Sequence, residues 1–122
     1  MNVAIPVLEK NIDSPIDSRF GRAQAFLIAD LESMKVVAFI ENPNVSAGGG
    51  AGTNTAQMLI NNGVNAIIAG AVGPNALNVL KNARIPVFSA TGIATAHQAL
   101  IAMKDGKLQP ITSPSIARHK KW

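Results

Sequence analysis

The sequence predicts an α/β domain whose mixed five-stranded sheet and helices follow the order βββαβαβα. Three observations predict this fold class. The first half of the chain holds three apolar segments with strand-like patterns, and the second half alternates helical periodicity with short continuous apolar runs. Glycine-rich loops separate these segments, and 122 residues suffice for one domain with its own core. We therefore expect the first three strands to be largely antiparallel and the last two parallel, with helices covering the sheet.

The N-terminal half contains the three predicted strands and one long loop. The strands are predicted over residues 2–8, 24–30 and 35–41. Pro6 removes one backbone donor from the first strand, which indicates a local edge or a bulge at that point. The polar residues 9–23 are too many for a hairpin turn, and long loops in compact domains tend to serve a function. The second and third strands are predicted to form a hairpin, because only a short turn separates them.

The C-terminal half repeats a helix–strand unit. Strands are predicted over residues 64–69 and 85–90, and helices from Thr53 onwards, over residues 75–83 and over residues 94–104. Gly63 and Gly106 stand where helix C-terminal caps belong. Ligands of such sheets bind beyond the carboxyl ends of the strands. We therefore expect the loops at residues 48–52, 70–75 and 90–92 to meet there.

The stretch with the most marked chemistry is residues 46–55, where four glycines lead into a helical pattern. Glycine lets backbone amides approach a ligand, and a helix start adds unpaired N–H groups and a partial positive charge. The stretch is not a Walker loop, because no Gly-Lys-Ser/Thr follows, and it is not a dinucleotide fingerprint. It predicts an anion site. The structural alternative is a flexible loop with an ordinary helix cap at Thr53 or Asn54.

The positive charge of the chain is concentrated near its C-terminus. The formal net charge is +4, but three of the 11 lysine and arginine residues are Arg118, Lys120 and Lys121. The rest of the chain is nearly neutral, and aromatic residues make up only 4% of the sequence. We do not expect a nucleic-acid partner, because such proteins need a basic surface and stacking aromatics. We expect a domain over residues 1–109 and an irregular basic tail over residues 110–122.

The composition excludes several kinds of chemistry. The chain has no cysteine, which excludes disulfides, thiolate nucleophiles and thiolate ligands of its own for an iron–sulfur cluster. No apolar run approaches the ~20 residues that cross a bilayer, and the N-terminus lacks a basic segment before an apolar one. We therefore expect a soluble, cytoplasmic protein with no membrane partner.

The chain resembles the dinitrogenase iron–molybdenum cofactor biosynthesis family over residues 1 to about 109. Five stretches in the same order carry the resemblance: residues 4–7 (AIPV), 19–23 (RFGRA), 41–43 (ENP), 48–53 (GGGAGT) and 69–76 (AGAVGPNA). The resemblance implies an RNase H-like, three-layer α/β fold. It also implies a binding and carrier role without catalysis, with an iron–molybdenum cofactor or an iron–sulfur precursor as the anionic ligand. A cluster donor or acceptor protein would be the partner.

The matched positions indicate which residues would hold such a ligand. Backbone amides would come from the glycine stretch and the second helix start: Gly48, Gly49, Gly50, Gly52, Thr53 and Gly73. Arg22, together with Arg19, would supply charge-assisted hydrogen bonds, and Asn75 would cap its helix or donate to the ligand. The structural alternative is that Arg22 pairs with Asp17 or Glu41. The metal ligands stay unknown, because a bond to iron would need His97, His119 or an oxygen atom.

Two other functions are compatible with the same residues. Helix N-termini bind phosphate equally well, so the loops would also suit an enzyme or sensor that holds a nucleotide or another phosphate compound. No acid–base arrangement supports catalysis, because Asp13, Asp17 and Asp30 are scattered and neither histidine has an evident partner. A metal-dependent nuclease would need acidic residues on the first strand, which has none. The remaining alternative is a protein-interaction domain that docks through its loop and basic tail.

Overall fold

A mixed sheet forms the centre of the computed structural model, which describes residues 1–45 and 49–113. Within these residues the five strands are β1 (Asn2–Val7), β2 (Ala25–Asp30), β3 (Lys35–Glu41), β4 (Ala66–Ala69) and β5 (Val87–Ser89). The helices are α1 (Ala51–Asn61), α2 (Pro74–Asn82) and α3 (Ala96–Lys104), and a 3-10 turn covers Phe20–Arg22. The predicted fold class and element order are confirmed. The RNase H-like name stays a prediction.

The strands lie side by side in the order β3-β2-β1-β4-β5. The first three strands pair antiparallel and β4 pairs parallel with β5, as the sequence predicted. β4 also pairs parallel with β1, which joins the two halves of the sheet. Pro6 lies at a local edge of the central strand, because β4 pairs with β1 only at Val3 and Ala4. Beyond them the amide of Asp17 donates to the Pro6 carbonyl at 2.9 Å. This bond places the chain after residue 16 next to the end of β1.

Side chains alternate between the two faces of the sheet and build two separate apolar cores. On one face Ala4 and Ile67 pack with Phe20 and with the buried sides of α1 and α2. On the other face Val3 and Ile5 pack with the buried side of α3. Three layers result, with α1 and α2 together on one side. The N-termini of these two helices can therefore face the same space.

The predicted boundaries need correction at several helix and strand ends. α1 begins at Ala51, so its N-cap is Gly50 and not Thr53 or Asn54. α2 begins at Pro74 after the N-cap Gly73, so Asn75 is the second residue of the helix and does not cap it. The last two strands are shorter than predicted, because residues 64–65 lie outside β4 and residues 85–86 and 90 lie outside β5. Each predicted element nevertheless exists with the predicted type.

The chain after α3 covers the outer edge of β5. The Ser89 amide donates to the Gln109 carbonyl at 2.8 Å, and the Ile111 amide donates to the Val87 carbonyl at 2.7 Å. The chain thus stays hydrogen-bonded to β5 as far as residue 111, and the domain boundary at residue 109 stays a prediction. The rest of the predicted tail from residue 114, including His119, lies outside the described residues. None of the helices described above has the length and hydropathy to cross a bilayer.

Asp30 ends β2 and stabilises the turn that leads to β3. The hydroxyl and amide of Ser33 donate to its carboxylate at 2.8 and 3.0 Å. The Ser33 hydroxyl, followed by the Ser33 amide, lowers the pKa of Asp30 from 3.8 to about 2. The stability that this carboxylate contributes is fully present above pH 3.8 and is lost as the pH falls through about 2.

We expect Asp30→Asn to be less stable than the wild type at neutral pH and to approach it as the pH falls. The amide of the Asp30→Asn variant does not titrate, whereas the wild type loses its advantage between pH 3.8 and about 2. Chemical unfolding curves of both proteins from pH 7 to pH 2 measure the difference. A gap that stays constant over this range would show that the Asp30 charge does not stabilise the turn.

Candidate functional site

An open cleft of about 410 Å³ lies between the Phe20–Arg22 turn and the N-termini of α1 and α2. We call it the glycine cleft, because Gly21, Gly50, Gly52 and Gly73 line it. Most of the predicted site residues line it: Arg19, Arg22, Gly50, Gly52, Thr53, Gly73 and Asn75. Gly49 is exposed and is not a lining residue, and Gly48 lies outside the described residues. The structure thus places these residues together, and their contact with a ligand stays a prediction.

Glycine caps both helices that begin at the cleft. Gly50 adopts a left-handed conformation with φ 72° before α1, and Gly73 precedes Pro74 at the start of α2. Because glycine has no side chain, neither N-cap residue offers a side-chain acceptor to the amides of the first turn. In α3, by contrast, the Thr95 hydroxyl accepts from the Gln98 amide at 3.2 Å.

The first-turn amides of α1 and α2 can therefore serve a ligand. The first N–H groups of a helix have no acceptor within the helix, and they carry the positive end of its dipole. Two such ends on one cleft attract an anion more strongly than one. A phosphate, a carboxylate or a sulfide-rich cluster would fit this arrangement of donors.

Gly21 and Gly52 allow the turn and the first turn of α1 to touch at backbone distance. A Cβ atom on Gly21 would lie 2.8 Å from both the Cα and the amide nitrogen of Gly52. A Cβ atom on Gly52 would lie 3.3 Å from the Cβ atom of Ala76 in α2. The Phe20–Arg22 turn, the first turn of α1 and the first turn of α2 are thus in close contact, and this contact forms the floor of the glycine cleft. Sequence analysis quoted Gly21 only as part of a motif and did not predict this contact.

Arg19 bonds a buried carboxylate beside the cleft. Asp17 is only 2% exposed, and its oxygens accept from Nε and Nη2 of Arg19, each at 3.1 Å, and from the Arg19 amide at 3.0 Å. The hydrogen bond to Asp17 and the charge of that carboxylate raise the pKa of Arg19 further above its usual value. One edge of the guanidinium, formed by Nε and Nη2, is therefore committed to Asp17. We infer that Arg19 is mainly structural.

We expect Arg19→Ala to lower the thermal stability more than Arg22→Ala does. The wild-type Asp17 carboxylate accepts hydrogen bonds from three donors of Arg19, and in Arg19→Ala only the backbone amide of residue 19 remains. A buried charge that loses its partners destabilises the folded state. Thermal unfolding of the two variants in the same buffer measures the difference. Asp17→Asn should recover part of the loss in the Arg19→Ala background, because it removes the buried charge. Equal loss in both single variants would contradict this assignment.

Arg22 reaches the glycine cleft from the 3-10 turn. Its Nη1 donates to the Val45 carbonyl at 3.1 Å, and its side chain is exposed. The two acids proposed as structural partners of Arg22 bond other cations, because Asp17 bonds Arg19 and Glu41 bonds Lys10. Arg22 is one of the lining residues of the glycine cleft and carries a positive charge there.

The loop at residues 90–92 was predicted to join the site, and this prediction is wrong. None of its residues lines the cleft, because β5 is the outermost strand and its carboxyl end lies away from β1. The segment that follows β1 takes that place. The backbone of Arg19 forms a parallel bridge with Ala71, just beyond β4, and Ser18 lines the cleft beside it. Ser18 was not predicted, and no sequence signal distinguished it from other loop serines.

The described lining of the cleft supplies hydrogen-bonding groups and positive charge. Its described side chains include hydroxyl, amide and guanidinium groups, and none carries a carboxylate, an imidazole or sulfur. Across the described residues no group of three or more histidine, aspartate or glutamate side chains could hold a metal ion. His97 lies in α3, which packs on the other face of the sheet, 4.0 Å from Asp13. The groups that line the glycine cleft can hold an anion by donating hydrogen bonds to the atoms on its surface.

The fold and the cleft define a small α/β domain whose glycine-capped helices and arginines face one anion-sized space. Comparison with known proteins assigns the family. Residues 1–106 match the model of the family described as dinitrogenase iron-molybdenum cofactor, so the chain belongs to this family. The resemblance found in the five sequence stretches is thereby confirmed. The description of this family names the iron-molybdenum cofactor of dinitrogenase.

Several relatives resemble the chain over most of its length. An uncharacterized protein of Methanocaldococcus jannaschii is 34% identical over 111 residues, which are 89% of this chain and 90% of that protein. The apo form of the orange protein from Desulfovibrio gigas has a TM-score of 0.89 and 30% identity, covering 94% of this chain and 96% of that one. A candidate NifB protein of the DUF35 family from Thermotoga has a TM-score of 0.79 and 34% identity, covering 96% and 98%. These likenesses support a small, cofactor-associated protein.

Proposed function

We propose that this protein is a non-catalytic carrier of an anionic metallocluster, either an iron–molybdenum cofactor or an iron–sulfur precursor of it. The observation that carries the proposal is the meeting of two glycine-capped helix N-termini with Arg22 on one cleft. The cleft volume of about 410 Å³ lies within the range of small-ligand sites. Membership of the family supports a cluster as the cargo.

The cluster would be held by hydrogen bonds and charge. First-turn amides of α1 and α2 would donate to its sulfide or carboxylate groups, and Arg22 would add a charge-assisted bond. The chain contains no cysteine, and the described lining offers no other soft ligand, so the cluster would arrive with its own ligands in place. A cargo that forms no bond between metal and protein can be passed on without breaking one. This property suits a carrier that exchanges cargo with a donor or acceptor protein.

A carrier role also fits the side chains around the cleft. General acid–base catalysis needs a titratable group within hydrogen-bond reach of the reacting atom. The described lining residues offer hydroxyls, an amide and two arginines for this purpose, and arginine keeps its proton at all relevant pH values. Binding and release are therefore the chemistry that these groups support. We place the protein in the cytoplasm, where cluster assembly would take place.

We expect Arg22→Ala to reduce the affinity for the cluster about 10- to 100-fold without unfolding the domain. A hydrogen bond to a charged group contributes about 1.5–3 kcal/mol, which corresponds to this range. An anaerobic equilibrium titration with isolated iron–molybdenum cofactor, followed by visible absorbance, gives the affinity, and circular dichroism confirms folding. Lys35→Ala is the matched control, because Lys35 is an exposed cation at the opposite end of the sheet, beside Asp30.

The same titration separates the carrier from the phosphate-binding alternative. Inorganic phosphate and ATP are added as competitors, because helix N-termini also bind phosphate. Displacement only at high phosphate concentration supports the carrier. Equal affinity of the wild type, Arg22→Ala and Lys35→Ala proteins for the cluster would contradict the proposed site, and tight ATP binding with no cluster binding would favour the nucleotide-binding alternative.

A further inference from the structure

A buried amide side chain lies behind the glycine cleft, directly after β3. Asn42 is only 5% exposed. Its Nδ2 donates to the Ala23 carbonyl at 2.9 Å and to the Gly21 carbonyl at 3.3 Å. Its Oδ1 accepts from the amide of Asn44 at 3.0 Å. A buried polar group needs such partners, and Asn42 has them on two different segments.

The partners of Asn42 flank Arg22 at both ends. Gly21 and Ala23 are the chain neighbours of Arg22, so the Nδ2 bonds fix the backbone that carries the guanidinium. Asn44 immediately precedes Val45, whose carbonyl accepts from Nη1 of Arg22 at 3.1 Å. One amide group therefore holds the backbone of Arg22 and also the segment against which its side chain rests.

Thr55 connects this arrangement to α1. Its side chain is fully buried, and its Oγ1 lies 3.1 Å from the Gly21 carbonyl and 3.3 Å from Oδ1 of Asn42. Thr55 stands one helical turn after Ala51, at the start of α1. The buried polar contact thus sets the distance between the turn that carries Arg22 and the helix start that offers its amides.

We propose that Asn42 is the positioning residue of Arg22 and holds its guanidinium in place before any ligand arrives. An arginine side chain loses much rotational freedom when a ligand fixes it, and a side chain that is already ordered binds more tightly. The effect on ligand affinity rests on the proposed function. The ordering of Arg22 is a property of the ligand-free protein and can be measured separately.

A double-mutant cycle tests the coupling of the two residues. Asn42→Ala is expected to lower the affinity for iron–molybdenum cofactor about tenfold in the wild-type background and less than about twofold in the Arg22→Ala background. A role in general stability alone would give the same loss in both backgrounds, and that result would overturn the proposal. If Asn42→Ala does not fold, Asn42→Ser replaces it, because its hydroxyl cannot reach both carbonyls.

A second measurement needs no ligand. Nitrogen-15 relaxation of the arginine Nε–Hε groups reports how ordered each guanidinium is. We expect the order parameter of Arg22 to fall in the Asn42→Ala variant, whereas that of Arg19 stays unchanged because Asp17 holds it. An unchanged order parameter of Arg22 would overturn the proposal. If the wild type binds no cluster, the proposed function fails, and this measurement still decides the role of Asn42.

Discussion

Gly21→Ala is expected to lower the free energy of unfolding by about 1–3 kcal/mol and to weaken ligand binding at the same time. The new Cβ atom would lie 2.8 Å from the Cα and amide nitrogen of Gly52, and a backbone neighbour cannot rotate away. The turn that carries Arg22 must therefore shift from the N-terminus of α1. Chemical unfolding gives the loss of stability, and the cluster titration gives the loss of affinity.

Gly49→Ala is the matched control for this substitution. Gly49 belongs to the same glycine stretch, but a Cβ atom there meets nothing within 4 Å. We expect its stability and affinity to stay close to those of the wild type. If Gly21→Ala behaves like Gly49→Ala, then the turn and α1 are not held at the distance described, and the floor of the glycine cleft would have to be reconsidered.

Thr53→Glu is expected to abolish anion binding while the domain becomes as stable as, or slightly more stable than, the wild type. Thr53 is the third residue of α1 and lines the cleft. A carboxylate there interacts favourably with the helix N-terminus, by about 0.3–1 kcal/mol. The same charge repels an anionic ligand, since two like charges about 4 Å apart cost about 4 kcal/mol at an effective dielectric constant near 20. We expect a loss of at least about 100-fold in affinity.

Thr53→Gln distinguishes charge from size in this experiment. Glutamine has nearly the volume of glutamate and lacks the charge, so most of the affinity should remain. Thermal unfolding and the cluster titration are measured on both variants. A stabilised Thr53→Glu variant that still binds the cluster tightly would mean that the ligand does not lie at the start of α1.

The order and type of the elements could be predicted because hydrophobic periodicity is a local property. The helix starts were harder, because side-chain preferences favour threonine and asparagine as N-caps, whereas α1 and α2 use Gly50 and Gly73. The left-handed conformation of Gly50 is compatible with glycine, but the sequence alone does not say which of four neighbouring glycines adopts it. The N-caps at the cleft are thus the point at which local rules failed.

The residues that line the cleft could largely be predicted from the sequence, but which of them bind a ligand and which stabilise the fold could not. Arg19 and Arg22 look equivalent in sequence, and only the burial of Asp17 assigns Arg19 to structure. Asn42 follows a strand and was quoted only as part of a motif, because its partners are 19 and 21 residues away. The loop at residues 90–92 was misplaced because the strand order is a property of the whole sheet.

Retention of the cargo by the purified protein tests the carrier role most directly. The protein is incubated anaerobically with iron–molybdenum cofactor or an iron–sulfur cluster, desalted, and examined by metal analysis and visible absorbance. We expect the wild type to retain the cluster stoichiometrically and Arg22→Ala to elute without it. A folded wild-type protein that elutes free of metal from both incubations would contradict the carrier role.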